Sequence, residues 1–246
     1  MRYEMMFPDQ IRAAIDNNVP VVLALGVLEY HGEHMTPGVD TLLVIHAIDI
    51  IEKEIPLVIL PPFYYGSSSF AVESPERNGT IHVDSQILQP LARQLFYNLL
   101  RIGFRNVHVF IHHQCENFAE GMPTDLAFKL AAKQEIFAFI EREKGEGWWG
   151  ENASADYYEN HAVGDNQFNW IRIHPFMNKE AQLKFPIDHA GEQETSLMMA
   201  FCPEAVDMNR FSNEKWYLSS AKNASLEYGS QAKEIILREM KKLLLQ

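Results

Sequence analysis

Residues 19–40, VPVVLALGVLEYHGEHMTPGVD, join a run of β-branched and aliphatic residues to a loop crowded with Glu29, His31, Glu33, His34 and Asp40. The run is nearly continuous in its apolarity, as in a strand buried on both faces rather than one that alternates between core and water. Three further runs share that character: LVILPP at 57–62, NVHVFIH at 106–112 and EIFAFI at 135–140. Between them, apolar residues recur at helical spacing over 41–54, 84–102 and 117–134, with Asp84 placed as an N-cap and Gly103 as a C-cap. Strand and helix therefore alternate. Right-handed crossovers then require a mainly parallel central sheet between helices, an α/β fold of the three-layer α/β/α sandwich type. Residues 226–245 read as an amphipathic surface helix.

The 246 residues are 47% hydrophobic and 22% charged, with a formal charge of −12. That length suits a single α/β domain over 1–246 with a substantial core. No stretch approaches the roughly 18 apolar residues needed to span a bilayer, and MRYEMMFPDQ at 1–10 lacks the pattern of a secretory signal, so a cytoplasmic protein is expected. The negative charge repels nucleic acid and anionic membranes, which leaves a small molecule as the expected partner. Cys115 and Cys202 lie far apart with no C-x-x-C spacing, so neither a disulfide framework nor a thiolate zinc site is expected. From about 145 to 192 the periodicity loosens through GEGWWGENASADYYENH; this segment reads as a loop-rich excursion over the active-site face, either a lid or a surface wrap.

In open α/β sheets the ligand site lies beyond the carboxyl ends of the strands, where LEYHGEH and HHQCEN both fall. Glu29 and His31 are two residues apart and point to one side if the chain is extended; Asp40 can return to face them after the Gly32–Gly38 loop. Carboxylate oxygen and imidazole nitrogen together suit Zn²⁺, Mn²⁺ or Fe²⁺, and one carboxylate can bridge two ions. Within HHQCEN, Glu116 lies two positions beyond Gln114 and joins this cluster if the chain stays extended. A third cluster, DHAGEQETSLMM at 188–199, sets His189, Glu192, Glu194 and Thr195 at the start of an apolar helical run, where unpaired N–H groups favour an anion. Against each stands a plainer reading: a solvated loop, a hydrogen-bonded histidine at a strand end, a capping turn.

Taken together, the three clusters resemble the creatininase family, the creatinine amidohydrolases and their relatives. GVLEYHGEHMTPGVD is similar to the family's E-x-H-G-x-H-x(5)-D signature and HAGEQETSLMM to its H-A-G-x-x-E-T-S motif, while PPFYYGSS, NGTIHVDSQIL and LLRIGFRNVHVFIHHQCEN resemble the segments between. The resemblance implies two divalent metal ions, zinc, manganese or iron: one on Glu29 and Asp40, the other on His31, Asp40 and Glu116, with Asp40 bridging. The family's remaining ligand to the first ion is a His at the position of Gln114, so this first site is expected to be weak or empty. His113 would face away in a regular strand, and a local bulge would be needed to bring it in.

The resemblance also implies a metal-dependent hydrolase in which a metal-bound hydroxide opens a cyclic amide or similar small polar ring. His189 then assists proton transfer at the leaving group, Glu194 orients or polarises it, and Glu116 is a ligand and proton acceptor. Trp148, Trp149, Tyr157, Tyr158 and Trp170 could close over the ring. The family includes ring-opening hydrolases of inositol-derived diketones, which is the alternative reaction. An alternative of another class is a non-catalytic small-ligand-binding protein retaining one metal. The family's ring-shaped hexamers imply a homo-oligomer.

Overall fold

The computed structural model describes residues 1–160 and 166–246. Its order is α1 (Pro8–Asp16), β1 (Val21–Leu25), α2 (Val39–Ile51), β2 (Val58–Ile59), α3 (Ser85–Ile102), β3 (Val107–Ile111), α4 (Pro123–Lys144), α5 (Tyr157–Asn160), β4 (Ile171–Pro175), α6 (Lys179–Lys184), α7 (Glu192–Phe201) and α8 (Leu226–Leu244), joined by short 3-10 turns. The four strands form one sheet in the order β2-β1-β3-β4, and every pair is parallel. Continuous apolar strands make this possible: all five residues of β1 and of β3 are buried. Val22 and Ala24 face a core completed by α2, α7 and α8, while Val21, Leu23 and Leu25 face a second core completed by α1, α3 and α4. Helices thus cover both faces, and the three-layer α/β/α expectation holds. No described helix is long and apolar enough to cross a membrane.

Two expectations need correction. EIFAFI at 135–140 is not a strand but part of the second half of α4, whose buried positions are 124, 125, 127, 128, 131, 132, 135, 136, 139 and 140. That three-one spacing is a helical stripe, and Phe137, which a buried strand would enclose, is 47% exposed. The fourth strand is instead β4, inside the 145–192 segment taken as loop-rich. Its sequence, Ile-Arg-Ile-His-Pro, alternates with period two, and as an edge strand it tolerates Pro175. Of that segment, residues 161–165 lie outside the described residues, while Ile187, Asp188 and His189 do reach the cavity at the sheet's carboxyl edge. Within LVILPP the strand covers Val58–Ile59 and the Leu60 N–H still donates to the Val22 carbonyl at 2.9 Å, after which Pro61 and Pro62 carry no N–H to continue the ladder.

Candidate metal centre

After β1 the chain runs to Glu29 and doubles back. The Glu29 N–H donates to the Pro37 carbonyl at 3.0 Å, closing the loop, and the Tyr30 N–H donates to the Thr80 hydroxyl at 3.0 Å. The reversal requires Gly32: its φ is +75°, and a Cβ there would lie 2.9 Å from both the His34 ring and the Leu218 side chain. Asp40 arrives in the first turn of α2, where the positive end of the helix dipole favours its charge. His34 is fully buried and hydrogen-bonded to the Thr195 hydroxyl at 3.0 Å, tying the first motif to α7.

β3 ends at Ile111, and the next residues leave the strand path. His112 is already outside the strand and His113 begins a turn that continues through Gln114 at φ 52° and ψ 38°, so strict strand alternation no longer governs these side chains. Both imidazoles enter the site. His113 Nδ1 lies 3.5 Å from Glu29 Oε2 and 3.4 Å from Asp40 Oδ2, while His112 Nε2 lies 2.9 Å from Glu194 Oε1. His113 thus faces the Glu29 and Asp40 carboxylates without needing a bulge inside the strand. Gln114 is half-buried on the cavity wall. Glu116 also stands apart: the 3-10 turn Cys115–Asn117 carries it to an exposed position on the cavity wall, because the two-residue register with Gln114 held only for an extended chain.

The carboxylate that faces His31 is Glu194. Asp188 accepts hydrogen bonds from the N–H groups of Gln193 and Glu194 at 2.9 and 3.0 Å, capping α7. Glu194 Oε2 accepts from the Ala190 N–H at 2.7 Å and lies 3.4 Å from His31 Nε2. His31 Nδ1 donates to the Glu29 carbonyl at 2.9 Å, which leaves Nε2 to face Glu194 and Asp40 Oδ1, the latter at 3.9 Å. His189 Nε2 donates to the Tyr30 carbonyl at 2.9 Å, and its Nδ1 is 4.0 Å from Glu29 Oε2.

Three donor groups result, each with ligand atoms within 4.8 Å of one another: Glu29, Asp40 and His113; His31, Asp40 and Glu194; Glu29, His31 and His189. Glu29, Asp40 and Glu194 are 3%, 2% and 4% exposed, so three carboxylates share a dry site. Buried like charges are costly without compensation. Among the described residues, His31 Nε2 and Asp40 Oδ2 are buried without a hydrogen-bond partner, the first facing Glu194 and the second facing His113. The donor set and these orphaned atoms fit divalent ions.

Without an ion, protons hold the balance. Burial pushes Glu29 up to about 7. Burial works the same way on Asp40 and Glu194, but the neighbouring imidazoles outweigh it and keep both below the ordinary carboxylate range. Burial opposes protonation of His31 and His113, yet Glu194, Asp40 and Glu29 raise His31, and Asp40 and Glu29 raise His113. His189 is lowered by its burial and by His31.

A cavity of about 310 Å³ opens over these groups, walled also by Ser68, Ser69 and Val72. Trp148, Trp149, Tyr157 and Tyr158 do not line it; with Phe137 and Phe168 they border a separate cleft beside α4. Trp170 packs against Phe139 and under the Arg105 guanidinium. The expected aromatic closure is thus absent among the described residues, because this segment folds back onto α4 instead of across the sheet edge. A larger cavity, about 1070 Å³, lies at the opposite, amino edge of the strands and contains none of the donor groups.

A parallel sheet with paired carboxylate–imidazole clusters at its carboxyl edge defines an α/β protein with a candidate metal centre. The sequence profile of the creatininase family, described as creatinine amidohydrolase, matches residues 4–236. A creatinine amidohydrolase from Pseudomonas putida is 28% identical over 197 residues, 77% of this chain and 67% of that protein. A mutant creatininase complexed with creatine has the same fold, with a TM-score of 0.67 at 20% identity over 99% of this chain and 96% of that one. A manganese creatininase also gives 0.67, at 20% identity over 97% and 95%. The chain belongs to the creatininase family and is a hydrolase acting on the carbon–nitrogen bonds of amides.

Proposed function

We propose that the protein hydrolyses a small cyclic amide at a pair of divalent ions. Glu29, Asp40 and His113 hold one ion; His31, Asp40 and Glu194 hold the other. The observation that carries this reading is the position of Asp40, whose Oδ2 faces His113 at 3.4 Å and whose Oδ1 faces His31 at 3.9 Å. Nitrogen and oxygen donors of this kind suit manganese or zinc. When bound, the ions activate a water molecule and polarise a carbonyl.

The chain's own groups supply the rest. The Tyr30 carbonyl fixes the His189 ring, leaving Nδ1 toward the cavity; with its pKa lowered, this imidazole is neutral at working pH and can exchange a proton with the departing nitrogen. His112 holds Glu194 by one oxygen and the Ala190 N–H holds it by the other, so the carboxylate enters the site in one orientation. Gln114 and Glu116 on the wall offer acceptors to substrate N–H groups. The Pseudomonas putida relative acts on creatinine, and a cavity of about 310 Å³ has room for a ring of that size. A homo-oligomer and a cytoplasmic location belong to the same reading; light scattering tests the first.

The test is turnover of creatinine, other cyclic amides, lactams and inositol-derived diketones by protein reconstituted with Mn²⁺ or Zn²⁺. Hydrolysis of a cyclic amide is expected. Turnover confined to the diketones moves the reaction to the alternative class, and binding without turnover makes the chain a ligand-binding protein.

A further inference from the structure

Three potential ligands meet outside the active site. His46 on α2, Cys202 at the end of α7 and Glu204 in the turn Pro203–Ala205 place an imidazole nitrogen, a thiol sulfur and a carboxylate oxygen within 4.8 Å of one another. The sulfur is buried, the imidazole half-buried and the carboxylate exposed, so the group opens to solvent at one end only. No catalytic step derived above uses any of the three.

We propose that these side chains form a separate site for a thiophilic divalent cation of the zinc type, which staples α2 to the end of α7. Zinc bonds of roughly 2.0 Å to nitrogen and oxygen and 2.3 Å to sulfur place tetrahedral ligands roughly 3.3–3.8 Å apart, a closure that the exposed Glu204 side chain can supply by rotation. Three protein ligands leave a fourth position for water. The donor set separates this site from the active centre: thiolate prefers zinc, cadmium or cobalt, whereas the nitrogen- and oxygen-only clusters accept manganese as well. Cys202 gives its proton to solvent as the sulfur–metal bond forms. Without an ion, burial and the adjacent Glu204 push the thiol up to about 11, so it is inert. The two elements it links are those that carry Asp40 and Glu194 at their first turns, so the ion fixes the spacing of two helices on which the active centre depends.

The experiment titrates metal-free protein with Co²⁺ and follows the near-ultraviolet thiolate-to-cobalt charge-transfer band, to which the active-site clusters, having no cysteine, contribute nothing. The band is expected in the natural protein and in Cys115→Ser, absent in Cys202→Ser, and shifted to at least about tenfold higher cobalt concentration in His46→Gln and in Glu204→Gln. Glu204 is exposed, so its variant tests the site without disturbing the core. No band in the folded natural protein, a band that survives in Cys202→Ser, or full-affinity binding in both His46→Gln and Glu204→Gln overturns the proposal.

Discussion

Asp40 shows how one residue can organise a charged centre. It is buried at a helix N-terminus, and its two oxygens meet imidazoles from different strand ends. Its partner His113 lies just past the end of β3, where the chain has left the extended path and begun a turn. His113→Ala is therefore expected to lose one of two bound manganese equivalents, whereas Gln114→Ala and Glu116→Gln keep both; metal analysis after gel filtration checks all three. His189→Ala should retain its metal and lower kcat by about 10² to 10⁴, the usual effect of losing a general acid or base, as steady-state kinetics would show. Glu29, His31 and Asp40 were legible because short spacing and a strand end confine where they point. The approach of His113 and Glu194 to that cluster was not, because it turns on local departures from extended backbone that residue spacing does not encode.

Among the elements, α7 and α8 pack backbone against backbone. Gly229 on α8 lies so near the Ser196 carbonyl that an added Cβ would sit 1.8 Å from its oxygen, and backbone cannot yield as a flexible side chain would. Gly229→Ala should destabilise the fold by about 1–3 kcal/mol, read as a lower urea midpoint at unchanged slope. Parallel strands β1 and β3 and the helices beside them were readable from sequence since their apolar runs are short, unbroken and bounded. EIFAFI reads as a strand because a buried helix segment and a buried strand look alike over six residues; only its continuity with the stripe from Thr124 onward decides the matter. β4 escaped notice for the opposite reason. As an edge strand with Arg172 and His174 only half-buried, it lacks the continuous apolarity that marked the others.

At the scale of the molecule, the site links stability to pH and metal. Glu29 and the raised His31, His112 and His113 favour folding when protonated, a contribution lost as pH rises through their folded-state pKa values. The depressed Asp40 and Glu194 contribute above the ordinary carboxylate range and have stopped changing by neutrality. The lowered His34, His108, His174 and His189 oppose the trend only while the unfolded chain is still losing its histidine protons. Above about pH 7 the metal-free protein should therefore melt at lower temperature as pH rises, and saturating Mn²⁺ should reverse the slope, because ions compete with those same protons. A flat profile with and without metal would contradict the linkage. The most direct test of the two-ion centre is metal stoichiometry by mass spectrometry on protein reconstituted with Mn²⁺, an ion that leaves the thiolate site aside. Two equivalents in the natural protein, one in His113→Ala and one in Glu194→Gln are predicted; a single equivalent in the natural protein, or two retained in both variants, would contradict it.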